Sequence, residues 1–175
     1  SNVMENINRQ GIDTANGPEY IAEEAEHIIL GVKPNKIAEV AAGIAPIIKE
    51  NTVLISIAAG VKLSALKNYF GDKAKLLRVM PNLPALTGEG ATALCTEHSL
   101  NESQWNTAQS IFGAIGKTFL LEEKHMDTVT ALTGSGPAIV FMFIDALADS
   151  AVLRGIPKNI ATEMAIQMVL GSSKL

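Results

Sequence analysis

Three short segments carry the residues best suited to holding a ligand: Val32-Lys33-Pro34, Ala58-Ala59-Gly60 and Met80-Pro81-Asn82. Each follows directly on an apolar run that reads as a buried strand. Small residues at 58, 59 and 60 let a flat molecule approach the backbone. Pro34 and Pro81 stiffen their loops and remove N–H groups that would compete as donors. Lys33 offers a cation or a flexible stem. Taken singly, each segment is also explained as the Pro and Gly punctuation of a strand end. Three in the same position relative to three strands favour a site, because the carboxyl ends of neighbouring parallel strands line one crevice where ligands bind.

A second constellation is Gly134-Ser135-Gly136-Pro137 ahead of a long helix. Proline suits the first helical turn, and the residues before it expose N–H groups at the positive end of the helix dipole. That arrangement fits a carboxylate or phosphate, although an ordinary cap between packed helices has the same sequence. Two glycine patterns are decoys. Gly88-Glu89-Gly90-Ala91-Thr92-Ala93 has the spacing of a dinucleotide loop, but it follows no strand, opens no helix and sets Glu89 against a phosphate. Gly113-Ala114-Ile115-Gly116-Lys117-Thr118 lacks the first glycine of a P-loop, since Ile111 stands there, and runs from helix to strand. His27, His98 and His125 have no metal-ligand spacing. Asp145 and Asp149 share a helical face with no partner acid, which reads as a solvated or interface face. No metal site and no catalytic acid or base is assigned.

The elements that must position these segments come in two textures. Strands are expected over 27–32, 52–58, 75–80, 90–95 and 118–121, with helices over 35–50, 63–70 and 102–115; Pro46 should kink the first helix or shorten its last turn, and Gly71 end the second. Alternating strands and helices imply an α/β layer fold with a largely parallel sheet. From 122 onward the pattern is helical only, over 126–132, 137–153 and 159–170. Ile139, Val140, Phe141, Met142, Phe143 and Ile144 surround the axis of the middle helix. Such a helix must be buried on all sides, so a partner is expected.

Composition narrows the function classes. The 175 residues are 47% hydrophobic and 18% charged, with 14 Lys and Arg against 18 Asp and Glu. A net charge of −4 argues against a general nucleic-acid surface. The single cysteine, Cys95, reads as a small core residue and excludes an internal disulfide framework, which points to a reducing, cytoplasmic setting. The longest apolar run, closed by Asp145, is too short for a membrane span, and none is expected.

At Val32-Lys33-Pro34, Ser56-Ile57-Ala58-Ala59-Gly60-Val61, Arg78-Val79-Met80-Pro81-Asn82-Leu83-Pro84 and Asp127 to Ala138 the sequence resembles pyrroline-5-carboxylate reductase. The resemblance covers essentially the whole chain in the family's order. It implies a Rossmann-like dinucleotide-binding domain over 1–121 and an all-helical dimerisation domain over 122–175, with homodimers or rings of dimers. It implies NADPH or NADH as cofactor, with Asn16, Val32, Lys33, Pro34, Ala58, Ala59, Gly60, Met80, Pro81 and Asn82 around it. By the same resemblance Thr133, Gly134, Ser135, Gly136 and Pro137 hold the carboxylate of 1-pyrroline-5-carboxylate, which is reduced to L-proline. The family commonly has Ser at Thr133 and Tyr at Ile139. Its first strand with the glycine-rich loop and a later Ser-Pro-Gly-Gly-Thr-Thr segment have no match, so a chain cut at both ends is expected. Two alternatives stand beside the reductase: a non-catalytic fragment that folds and dimerises, and a related nicotinamide-dependent hydroxy-acid dehydrogenase.

Overall fold

Runs of branched and long apolar residues between polar stops form the strands of a five-stranded sheet: β1 (His27–Leu30), β2 (Val53–Ser56), β3 (Lys75–Met80), β4 (Gly90–Cys95) and β5 (Gly116–Leu120). The structure, a computed structural model, describes residues 2–15, 17–97 and 100–175. The strands lie in sequence order, and β1, β2 and β3 are parallel, with Leu30 beside Ser56 and Ser56 beside Arg78. This mixed α/β architecture with a mostly parallel sheet bears out the expected fold class.

One pairing departs from the parallel pattern: β4 runs antiparallel to β3, while β5 is parallel to β4. The reason is connection length. A parallel return needs a crossover of a dozen residues or more, and only the short link with the 3-10 turn Leu83–Thr87 joins β3 to β4. The amino end of β4 is therefore brought to the carboxyl end of β3, where Asn82 Oδ1 accepts the Ala91 N–H at 2.8 Å.

The helices are α1 (Asn2–Arg9), α2 (Pro18–Glu24), α3 (Ile37–Ile44), α4 (Leu63–Phe70), α5 (Glu102–Gly113), α6 (Met126–Val129), α7 (Gly136–Val152) and α8 (Lys158–Ser172). α3 stops at Ile44, two residues before Pro46, and Gly71 closes α4 at φ +69°. Asn101 opens α5 with a capping box, its side chain accepting the Gln104 N–H while the Gln104 side chain accepts the Asn101 N–H.

Two apolar clusters sandwich the sheet. Ile37, Ile44, Leu54, Leu63, Leu66, Phe70, Leu76 and Met126 fill one face, and Val53, Ile55, Leu77, Val79, Leu94, Ala108 and Phe112 the other. The chain divides into two compact units, one ending at Val129 and the other running Thr130–Leu175. Within the second, α7 and α8 pack through the buried alanines Ala148, Ala161 and Ala165. Lys158 Nζ donates to Asp145 at 2.8 Å and Asp149 at 2.6 Å, so that pair of acids is a clasp between helices. Away from this seam Met142 is 73% and Phe141 58% exposed.

One helical run passes a test of length and composition that the longest apolar run does not. The helical run Glu123–Val152 is long and apolar enough, by length and composition alone, to cross a membrane. The sequence reading counted only uninterrupted apolar residues, whereas a span tolerates an isolated charge.

Close approach explains the rejected glycine patterns. A Cβ on Gly90 would stand 2.7 Å from the Ile115 carbonyl oxygen, and one on Gly116 (φ +144°) would collide with the Gly90 backbone. Gly116→Ala is therefore expected to cost about 1–3 kcal/mol in urea unfolding. Gly113→Ala, with open space around it, should change stability by no more than about 1 kcal/mol.

Candidate functional site

The parallel register sets Gly31 to Pro34 after β1, Ile57 to Gly60 after β2 and Pro81-Asn82 after β3 along one edge of the sheet. Of the ten edge residues named from sequence, nine are brought to this edge; Asn16 lies outside the described residues. They do not contribute alike. Lys33, Pro34, Ala59 and Gly60 are exposed, while Val32, Met80, Pro81 and Asn82 are half-buried. Ala58 is 5% exposed with its methyl in the core, so it lends the edge its backbone shape alone. Gly60 has φ +76° and nothing within 4 Å of where a Cβ would lie. The second loop thus leaves the edge open to a flat ring, a shape that fits the nicotinamide end of a dinucleotide. Asn82 also has a structural task, since its side chain holds the start of β4.

Beneath this edge lies a charged cluster to which sequence reasoning gave no role. Arg78, in the apolar strand Lys75–Met80, has a side chain only 4% exposed. Its Nη1 donates to Glu123 Oε1 at 3.0 Å and its Nη2 to Asp127 Oδ1 at 3.2 Å. The same Glu123 oxygen accepts the Leu63 N–H at 2.7 Å, at the first turn of α4. A lone arginine inside an apolar strand was the available signal, because a buried guanidinium demands counter-charges.

Cys95 stands beside Arg78 in the β3–β4 register and is buried. Burial pushes its thiol from 9.0 up to about 11, with the Glu123 carboxylate adding to the rise and the Arg78 guanidinium opposing it. The folded value lies above the unfolded one, so this contribution to stability is full below about pH 9 and lost as the pH rises through about 11. The difference in unfolding free energy between wild type and Cys95→Ala should shrink over that interval. A difference that stays constant would contradict the assigned burial.

The second constellation, in the other unit, starts α7 with Pro137 in its first turn as the sequence predicts, but the N–H groups ahead of it are less open than expected. Residues Thr130–Gly134 form a π turn that runs on towards α7, and the Ser135 N–H donates to the Thr130 carbonyl at 3.2 Å. The Ala138 N–H is taken by the Ser135 carbonyl at 3.1 Å. Pro137 explains the widening: it lacks an N–H and its ring would strike the carbonyl four residues earlier in a regular helix. Of the N–H groups expected there, Ser135's is thus engaged, and Pro137 has none. Gly136, half-buried, and the exposed Ser135 hydroxyl remain as candidate donors at the turn.

No cluster of three or more potential metal ligands occurs among the described residues. Comparison with known proteins gives a consistent result. Residues 123–175 match the family described as pyrroline-5-carboxylate reductase dimerisation. The chain is 36% identical over 165 residues to a pyrroline-5-carboxylate reductase of Glycine max, covering 94% of this chain and 60% of that one. The Coxiella burnetii pyrroline-5-carboxylate reductase superposes with a TM-score of 0.90 at 31% identity, over 96% of this chain and 63% of its own. The Plasmodium falciparum pyrroline carboxylate reductase, solved with NADP bound, does so at 0.86 and 31%, over 93% and 62%. The chain thus spans about three fifths of the length of these relatives. Residues 123–175 match the pyrroline-5-carboxylate reductase dimerisation family, and the chain as a whole is similar to pyrroline-5-carboxylate reductases over the part of their length that it spans.

Proposed function

We propose that this chain carries the core of an NAD(P)H-dependent reductase that converts 1-pyrroline-5-carboxylate to L-proline. The observation that carries the reading is the common edge formed by three parallel strand ends with small residues at Ala59 and Gly60. Its support in relatives is the 36% identity to the Glycine max reductase over a span of 94% of the chain and the NADP reported in the Plasmodium falciparum structure. A nicotinamide cofactor, when bound, supplies the hydride. We assign Val32, Lys33, Pro34, Ala59 and Gly60 to its binding, with Ala58 shaping the loop and Asn16 added from the family resemblance. Met80, Pro81 and Asn82 are assigned to the place where nicotinamide and imine meet. Thr133, Gly134, Ser135, Gly136 and Pro137 are assigned to the substrate, with the Gly136 N–H and the Thr133 and Ser135 hydroxyls facing its carboxylate.

The chemistry asks these residues to orient rather than to transfer protons. A protonated cyclic imine is already an electrophile at C5: hydride adds there and the C=N pair becomes the nitrogen lone pair of the product amine. The apolar and backbone surfaces of the edge hold two rings in register and keep water away. That division of labour accounts for a site with no acid–base pair assigned.

The apolar surface of α7 fits the dimerisation family matched by residues 123–175. We therefore assign it to a second subunit in a homo-oligomer, in preference to lipid. Phe141→Asp should lower the mass measured by sedimentation, and an unchanged mass would remove the surface from the interface.

The enzymatic reading is tested by following NADPH and NADH oxidation with 1-pyrroline-5-carboxylate in the complete natural protein. Turnover to L-proline is expected. Its absence, with a hydroxy acid oxidised instead, would favour the dehydrogenase alternative. Ala59→Tyr, at an exposed position, should raise KM for the dinucleotide by about tenfold without lowering Tm, the equivalent of about 1.4 kcal/mol of lost binding.

A further inference from the structure

We propose that Glu123 is a positioning residue for the candidate cofactor edge: its carboxylate fixes the loop Ala58–Lys62 by capping the helix that follows it, and Arg78 holds the carboxylate in place. The inference rests on reading that loop as part of a nicotinamide site. Lys62, at the cap position of α4, provides no side-chain bond to the helix start. Glu123 supplies one from sixty residues further along the chain, accepting the Leu63 N–H at 2.7 Å.

This bond is shorter than either of those within the loop. At the other end the Ala58 N–H reaches Ser56 Oγ at 3.4 Å, and within the loop the Val61 N–H reaches the Ala58 carbonyl at 3.4 Å. Both lie at the outer limit for a hydrogen bond, whereas the Glu123 bond is short and charge-assisted. The loop is thus weakly tied to itself and is held at its far end, where the Lys62 carbonyl accepts the Ala65 and Leu66 N–H groups at 3.0 and 3.1 Å and Glu123 caps the next N–H.

Arg78 makes the tie rigid. Its guanidinium bonds the very oxygen that receives Leu63, at 3.0 Å, and the Glu123 side chain is 21% exposed against 76% for Asp127. Asp127 therefore shares its charge with water, and Glu123 is the partner that works in a low-dielectric setting. A carboxylate at this helix start also repels a second anion. The loop is left to the uncharged ring and ribose of a dinucleotide, with its phosphates elsewhere.

Two readouts on the complete natural protein test this: amide exchange at Leu63 without cofactor, and the Kd for NADPH by equilibrium dialysis. Glu123→Ala is expected to quicken Leu63 exchange and raise Kd about tenfold each, the effect of losing one hydrogen bond to a charged group. Glu123→Gln keeps an acceptor oxygen and should stay within about threefold of wild type in both; it also serves if Glu123→Ala fails to fold. Asp127→Asn, which leaves the Leu63 bond intact, should move neither by more than about twofold. Faster Leu63 exchange with an unchanged Kd, or an Asp127→Asn effect equal to that of Glu123→Ala, would overturn the inference alone. A wild type that binds neither NADPH nor NADH would overturn the reading of the loop and this inference with it.

Discussion

A guanidinium under a parallel sheet has to be neutralised where it lies, and Arg78 imposes that demand on the rest of the fold. Taking such a charge out of water costs several kcal/mol unless its donors are met. The partners come from 45 and 49 residues later in the chain. After β5 the backbone must therefore return to the face of the sheet occupied by Leu54 and Leu76, where Met126 is fully buried. That return delivers Glu123 to the start of α4 as well. One charge thus sets the path of the chain from β5 to α6, together with the seat of the loop after β2.

The division between rigid support and open edge follows from the same arrangement. Ser56, Arg78 and Cys95 form a buried row across β2, β3 and β4, and just beyond that row in β2 and β3 the backbone turns outward into Ala59-Gly60 and Pro81-Asn82. Polar bonds that are satisfied below leave a shaped surface above, with few groups that could titrate. Such a surface suits the proposed hydride transfer, which relies on orientation. The glycines at 90 and 116 serve the same end at the other side of the sheet, letting β5 lie close enough to complete it.

Much of this was legible in the residues. The apolar runs before Lys33-Pro34, Ala59-Gly60 and Pro81 marked the strands that β1, β2 and β3 occupy, and Gly71 ended α4 as expected, whereas α3 stopped at Ile44, ahead of Pro46 and well short of residue 50. The direction of β4 was not legible from its own residues, since an alternating strand reads the same both ways; the short link after Met80 held the information. The π turn at Thr130–Gly134 was not legible because Pro137 marks the start of α7 without showing how the turn before it is wound. Arg78 stood in plain view within a quoted motif, but its role depends on partners far along the chain. That the Ala58 methyl turns into the core was not legible, because sequence spacing does not tell which way a loop methyl points.

Amide hydrogen exchange on the complete natural protein, with and without saturating NADPH, tests the central claim most directly. The account predicts added protection after the strand ends at Gly31 to Lys33, Ala58 to Leu63 and Asn82 to Leu83, with little change on the opposite edge at Asn51 and Asn101. Protection confined to that opposite edge, or no change at the three strand ends while NADPH is bound, would contradict it.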